Sequence, residues 1–202
     1  MAFSEGETAL EEVHAQIRRC RLCALSRSRT NTVPGEGATD ADIMFVGEAP
    51  GAEEDQQGRP FVGAAGRLLT SLLRSIGIER RDVFITNLVK CRPPGNRDPL
   101  PEEIGACHDY LLTQIALITP KVICTLGRFA AQWLIDKRLS ISREHGKPRR
   151  ISGILYLPIY HPAAALHQAR VIDGLEADMR QLRAVLDAEP AFGPKSRGAE
   201  HV

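Results

Sequence analysis

The sequence predicts a single α/β domain with a mostly parallel, four-stranded central sheet flanked by helices. Four short apolar runs carry that prediction: ADIMFVG (41–47), DVFITNLVK (82–90), KVICTLG (121–127) and GILYLPIYHP (153–162). Each is too short for a buried helix and is bounded by glycine, proline or charge. Helical patterns stand between successive runs, and strands that alternate with helices form parallel sheets through crossover connections. The 202 residues, 43% hydrophobic and 25% charged, suffice for one sizeable core and little more.

Taken in order, ALEEVHAQIRRC (9–20) reads as a short helix running into a CxxC pair, Cys20 and Cys23. The first strand ends in GEAPG, and GRLLTSLLRSIGI then places Leu68, Leu69, Leu72, Leu73 and Ile76 on one helical face. The second strand runs into CRPPGNRDPLP, whose four prolines in eleven residues forbid regular structure. A helix follows from Pro101, with proline and acids in its first turn. The third strand leads to a helix opening RFAAQWLI. The fourth ends at His161-Pro162 and precedes a last helix with Leu175, Met179, Leu182 and Leu186 on one face. The domain spans 1–188, and the tail 189–202 is expected to be disordered.

Net charge is +1, so the chain as a whole does not advertise nucleic acid. Any DNA contact must come from local patches such as REHGKPRR (143–150) and KCRPPGNR (90–97). No apolar run reaches the ~18 residues of a membrane span. The N-terminus has no basic-then-apolar signal pattern, so a cytoplasmic monomer is expected, with no membrane partner.

Five cysteines are an odd count for a disulfide framework. Fifteen residues separate Cys91 from Cys107. With Cys20 and Cys23 these make a set of four that is looser than a zinc ribbon and suits an iron–sulfur cluster. Spacing alone also admits zinc or four unrelated buried thiols. Cys124, inside a strand, reads as core.

Ligands of such sheets bind beyond the carboxyl ends of the strands. Those ends carry GEAPG, Asn87, LGR and His161. GEAPG lets backbone N–H groups approach a ligand, or is simply a turn; it is neither GxGxxG nor a P-loop, so a nucleotide cofactor has no support. Phe61, in GRPFVG, is either core or a flat platform for a planar ring. Asn87, late in an apolar strand, either braces a loop or reads a heterocycle edge that offers one donor and one acceptor. His161 either braces the strand end or donates to a leaving group.

Together these motifs resemble the iron–sulfur, family 4 type of uracil-DNA glycosylase. The resemblance runs from about Cys20 to Leu186 through CRLC, GEAPGAEEDQQGRPFVGAAGRLL, FITNLVKCRPPGNRDPLPEE, the helical Cys107 and YHPAAAL. It implies a [4Fe–4S] cluster on Cys20, Cys23, Cys91 and Cys107. It also implies hydrolysis of the bond between uracil and deoxyribose in single- or double-stranded DNA, as part of base excision repair, with the enzyme on the nucleoid when bound to DNA. Uracil would lie among Glu48, Ala49, Pro50, Phe61, Asn87 and His161. Phe61 would stack on the flipped base, Asn87 would read N3–H and O4, and His161 would donate to O2 of the departing anion.

The better-known class of these enzymes has a tyrosine after the proline of this motif, where this chain has Gly51. Glu54 is the candidate that fills that space and excludes thymine. That class has an aspartate before the proline, where this chain has Ala49. Either Glu48 positions the water, or water captures the sugar cation without a strong base. Leu166 resembles the wedge that fills the gap left by the extruded base, and could equally be core. A related branch traps the abasic sugar through a histidine on an inserted basic loop, but CRPPGNRDPLP has no histidine. A non-catalytic uracil-DNA binding or electron-transfer iron–sulfur protein is the alternative of another class.

Overall fold

A computed structural model describes residues 5–188; the predicted tail, 189–202, lies outside the described residues. Six strands form one sheet: β1 (Glu36–Gly37), β2 (Ile43–Gly47), β3 (Phe84–Asn87), β4 (Val122–Leu126), β5 (Arg149–Ile151) and β6 (Ile154–Ile159). Their order across the sheet is β1-β3-β2-β4-β6-β5. The central four are parallel, and β1 and β5 are added antiparallel at the two edges. The four expected strands are therefore present and parallel, but the sheet is larger and mixed. The edge strands have two and three residues, and neither is fully buried, so no apolar run announces them.

The central strands are buried almost throughout and mostly apolar because both faces are covered. Phe45, Ile85, Cys124 and Leu157 point to one face. Met44, Val46, Phe84, Ile123 and Tyr156 point to the other. Cys124 is fully buried, as the sequence predicts.

The first face is covered by α3 (Ala64–Ser75), α7 (Pro162–Ala165) and α8 (Ala169–Ala188). Leu69, Leu72 and Leu73 of α3 and Leu175, Met179 and Leu182 of α8 are buried, whereas Leu68, Ile76 and Leu186 are partly so. The second face is covered by α1 (Glu5–Arg19), α4 (Pro101–Ile118) and α5 (Gly127–Leu134). Two short helices, α2 (Ala52–Gln57) and α6 (Ile141–Glu144), lie in connections. Among the described residues no helix is long and apolar enough to cross a membrane.

The proline loop before α4 is fixed by charge. Glu103 is buried, accepts the Leu100 N–H at 2.8 Å and takes both guanidinium nitrogens of Arg97 at 2.7 and 2.9 Å. The chain reverses direction across the sheet after β3, where it returns past β2 to build β4. Such a reversal opens a crevice at the carboxyl ends of the strands.

Candidate active site

Four strand ends meet in that crevice. β2 delivers Gly47 and Glu48, β3 delivers Asn87, β4 leads to Gly127, and β6 leads to His161. Phe61, from the connection between α2 and α3, closes the group, with its ring centroid 5.7 Å from that of His161.

Glycine makes this convergence possible at two places. A Cβ on Gly47 would overlap Asn87 Oδ1 and stand 2.7 Å from Phe61 Cζ. Gly127 has φ +84°, and a Cβ there would stand 2.9 Å from His161 Cβ. Phe61 itself is buried, at 7% exposure, and has φ +50°. That left-handed conformation is uncommon for a bulky side chain, and its neighbours must enforce it.

Asn87 is 1% exposed, and its Oδ1 is buried with no hydrogen-bond partner among the described residues. The bracing role admitted by the sequence would have given that oxygen a partner. A buried acceptor left open is costly, and this one faces Gly47 in the crevice. The main chain of Asn87 is held from below. Lys90 is fully buried and donates to the Asn87 carbonyl at 2.8 Å, to Thr86 Oγ1 at 2.6 Å and to Gln114 Oε1 at 2.8 Å. Three acceptors match the three donors of an ammonium group.

Lys90 thus corrects the reading of KCRPPGNR as a basic surface patch: its lysine is internal, and Arg97 is committed to Glu103.

His161 caps the short α7. Its Nδ1 accepts the Ala163 N–H at 3.1 Å, so the ring proton of the neutral form sits on Nε2. Burial lowers the imidazole to about 4, against an upward pull from the Glu54 carboxylate. At neutral pH the ring is an uncharged donor through Nε2.

Glu48 is half-buried and carries the opposite perturbation. Desolvation, reinforced by the negative charge of Asp98 and opposed by Arg128, pushes its carboxyl up to about 7. Pro50 is buried and Ala49 half-buried beside it. Glu54 Oε1 accepts the N–H groups of Val62 and Gly63 at 3.0 and 2.9 Å. Its Oε2 lies 2.7 Å from where a Cβ on Gly51 would stand, so this carboxylate occupies the space a larger residue at 51 would need. Leu166 is 45% exposed at the end of α7, which rules out the core reading.

A second group of side chains lies behind β3. Cys91 and Cys107 are buried, and Cys20 and Cys23 are half-buried. Burial raises the Cys91 thiol, opposed by Arg29 and reinforced by Cys23 and Cys20. Burial likewise raises the Cys107 thiol, opposed by Lys90 and reinforced by Cys91 and Cys23. Arg29 donates to Cys91 Sγ at 3.0 Å and to the Cys20 carbonyl at 2.7 Å. Among the described residues no three His, Cys, Asp or Glu side chains converge tightly enough to grip one metal ion. Tetrahedral zinc requires sulfur ligands ~2.3 Å from a single centre, whereas a polynuclear cluster spreads its four thiolates. An all-cysteine donor set is the kind that an iron–sulfur cluster takes.

Sequence reasoning missed Arg29 and Arg80, whose guanidinium donates to the Pro60 and Phe61 carbonyls, and misread the buried Lys90. The two arginines act on backbone or sulfur from distant positions, and no local pattern marks them.

Comparison with known proteins agrees with this geometry. Residues 34–183 match the family model of the uracil DNA glycosylase superfamily. A type-4 uracil-DNA glycosylase of Archaeoglobus fulgidus is 47% identical over 182 residues, covering 86% of this chain and 92% of the relative. Similar enzymes of Sulfurisphaera tokodaii and Thermotoga maritima are 49% and 50% identical, covering 93% and 79% of this chain and 87% and 84% of the relatives.

Proposed function

The chain belongs to the uracil DNA glycosylase superfamily, and from that premise we infer how its crevice excises uracil from DNA. Removal of uracil as a repair reaction is its function, and DNA is its substrate. The observation that supports the site assignment best is the open, buried Oδ1 of Asn87. Uracil offers N3–H to that oxygen and O4 to the adjacent amide N–H. Cytosine offers an acceptor at N3 and an amine at position 4, so it meets two mismatched groups.

A base inside a duplex cannot reach this crevice and must be flipped out, which costs a few kcal/mol. Stacking on Phe61 returns ~1–3 kcal/mol, and Leu166 fills the vacated space. The bond between N1 and C1′ then breaks with its electron pair left on the base. The resulting anion carries charge at O2, where the neutral His161 Nε2–H donates. Such a preorganised donor is worth ~2.7–4 kcal/mol in catalysis. Glu48, when ionised, orients the water that attacks C1′ and accepts its proton. Glu54, filling the space beside Gly51, leaves no room for the methyl group of thymine.

Cys20, Cys23, Cys91 and Cys107 would hold a [4Fe–4S] cluster. Bound there, it would supply a covalent tie between the N-terminal helix, the loop after β3 and α4. Irreversible capture of the abasic sugar is disfavoured, because the loop 91–101 contains no histidine.

The test is excision from oligonucleotides holding one uracil, in single- and double-stranded form, beside matched cytosine and thymine controls. Release of free uracil with no covalent protein–DNA product supports the reading. Binding without release would favour the non-catalytic alternative.

A further inference from the structure

The strained platform poses a question the reaction does not answer: what keeps Phe61 in a left-handed conformation? Its carbonyl is held from two sides. A Cβ on Gly66 would overlap the Phe61 carbonyl oxygen, so the first turn of α3 closes directly over it. From the other side Arg80 reaches in from the segment before β3, nineteen residues along the chain. Its Nη1 donates to the Phe61 carbonyl at 3.2 Å and its Nη2 to the Pro60 carbonyl at 2.5 Å. Thr70 Oγ1 stands 3.5 Å from Nη1 and itself donates to the Gly66 carbonyl at 3.0 Å. The guanidinium is half-buried, and desolvation pulls its pKa below the ordinary arginine value. A charge placed there is spent on two consecutive carbonyls, which belong to the two peptide planes that flank the Phe61 Cα and set its φ and ψ.

We propose that Arg80 is a positioning residue for base recognition: its forked guanidinium locks the Pro60–Phe61 backbone so that the Phe61 ring is presented flat to the flipped base. The proposal rests on the reading of Phe61 as the stacking surface. Arg80 touches neither base nor sugar and acts only through Phe61. A planar fork is required, because two acceptors in fixed directions are met by two parallel N–H groups. Lysine carries its donors on a single nitrogen at the end of a flexible stem and lacks the planar fork.

The experiment compares Arg80→Met, Arg80→Lys and Phe61→Ala. The readouts are KM, single-turnover rate, inhibition by free uracil, and melting temperature. A merely structural arginine would lower the melting temperature and leave uracil inhibition unchanged per folded molecule. A positioning arginine weakens inhibition by free uracil about tenfold in Arg80→Met, in step with a rise in KM and in the same direction as Phe61→Ala. Arg80→Lys falls between the two.

Arg80 also lines an open cleft of about 490 Å³ together with Arg59, Arg67 and Arg74. If Phe61→Ala weakens uracil inhibition while Arg80→Met and Arg80→Lys do not, the positioning role is overturned. If Phe61→Ala itself leaves inhibition unchanged, the stacking role of Phe61 fails instead. Should Arg80→Met not fold, Arg80→Lys carries the decision.

Discussion

Glu48→Gln keeps the size of the side chain and removes only its ability to ionise. In the folded protein that carboxyl titrates at about 7, raised from an ordinary 4.5 chiefly by burial and then by Asp98. On that value the carboxylate fraction is about 0.9 at pH 8 and about 0.1 at pH 6. The single-turnover excision rate of the natural protein should therefore fall roughly tenfold between those pH values. His161, lowered to about 4, stays neutral over the whole interval and adds no limb of its own. In Glu48→Gln the rate at pH 8 drops by ~10²-fold, a usual contribution of a general base, and the pH dependence disappears.

Stability moves the other way. Between 4.5 and about 7 the folded chain binds the Glu48 proton more tightly than the unfolded chain does. Raising the pH through that window therefore costs folding free energy, and above it the cost is fully present. Glutamine escapes this cost, so the variant melts higher than the natural protein at pH 8, and the gap closes near pH 5. Rates measured at pH 5.5–8.5, beside melting curves at the same pH values, make the test. An acid limb that survives in Glu48→Gln, or a melting gap that does not change with pH, would refute the assignment.

Three further predictions are independent of that one. His161→Ala should lower the single-turnover rate by ~10²–10³-fold and change binding to uracil-DNA much less; a destabilised variant with full activity per folded molecule would leave His161 only as a brace. Gly47→Ala places a methyl group 2.7 Å from Phe61 Cζ and onto Asn87 Oδ1, so uracil excision should fail even where circular dichroism shows the fold intact; a normal KM would remove Gly47 from the pocket wall. Cys91→Ala deletes the sulfur that Arg29 contacts at 3.0 Å; it should lose bound iron, visible absorbance and heat stability together, and stoichiometric zinc in the natural protein would sink the cluster assignment.

The parts of this molecule that repeat a period are legible in its sequence. The four parallel strands are mostly apolar runs because both faces are covered, and Leu69, Leu72 and Leu73 mark their helix by spacing. Asn87 and His161 stand out because polar residues at the ends of such runs break the pattern. β1 and β5 are not legible: Glu36, Gly37, Arg149 and Arg150 have the composition of loops, and become strands only because β3 and β6 offer free edges. Lys90 misleads in the opposite sense. Beside Cys91, Arg92 and Arg97 it looks like a surface charge, and only the tertiary placement of Thr86 and Gln114 turns it inward. Arg80 sits in an ordinary ERRD turn, and nothing local says that the carbonyls it serves lie twenty residues earlier.

The two short edge strands also bear on how this protein tolerates its own neighbours. A parallel sheet of four mostly apolar strands, left bare, would be a template on which another extended chain could add and continue. Here one side ends in two residues, and Gly37, at φ +135°, adopts a conformation that an ordinary side chain rarely takes. The other side ends in three residues, two of them arginine. A strand arriving from a second molecule finds at either margin too few backbone groups to pair with. The outer parallel strands, β3 and β6, are thereby each kept one strand in from the sheet margin.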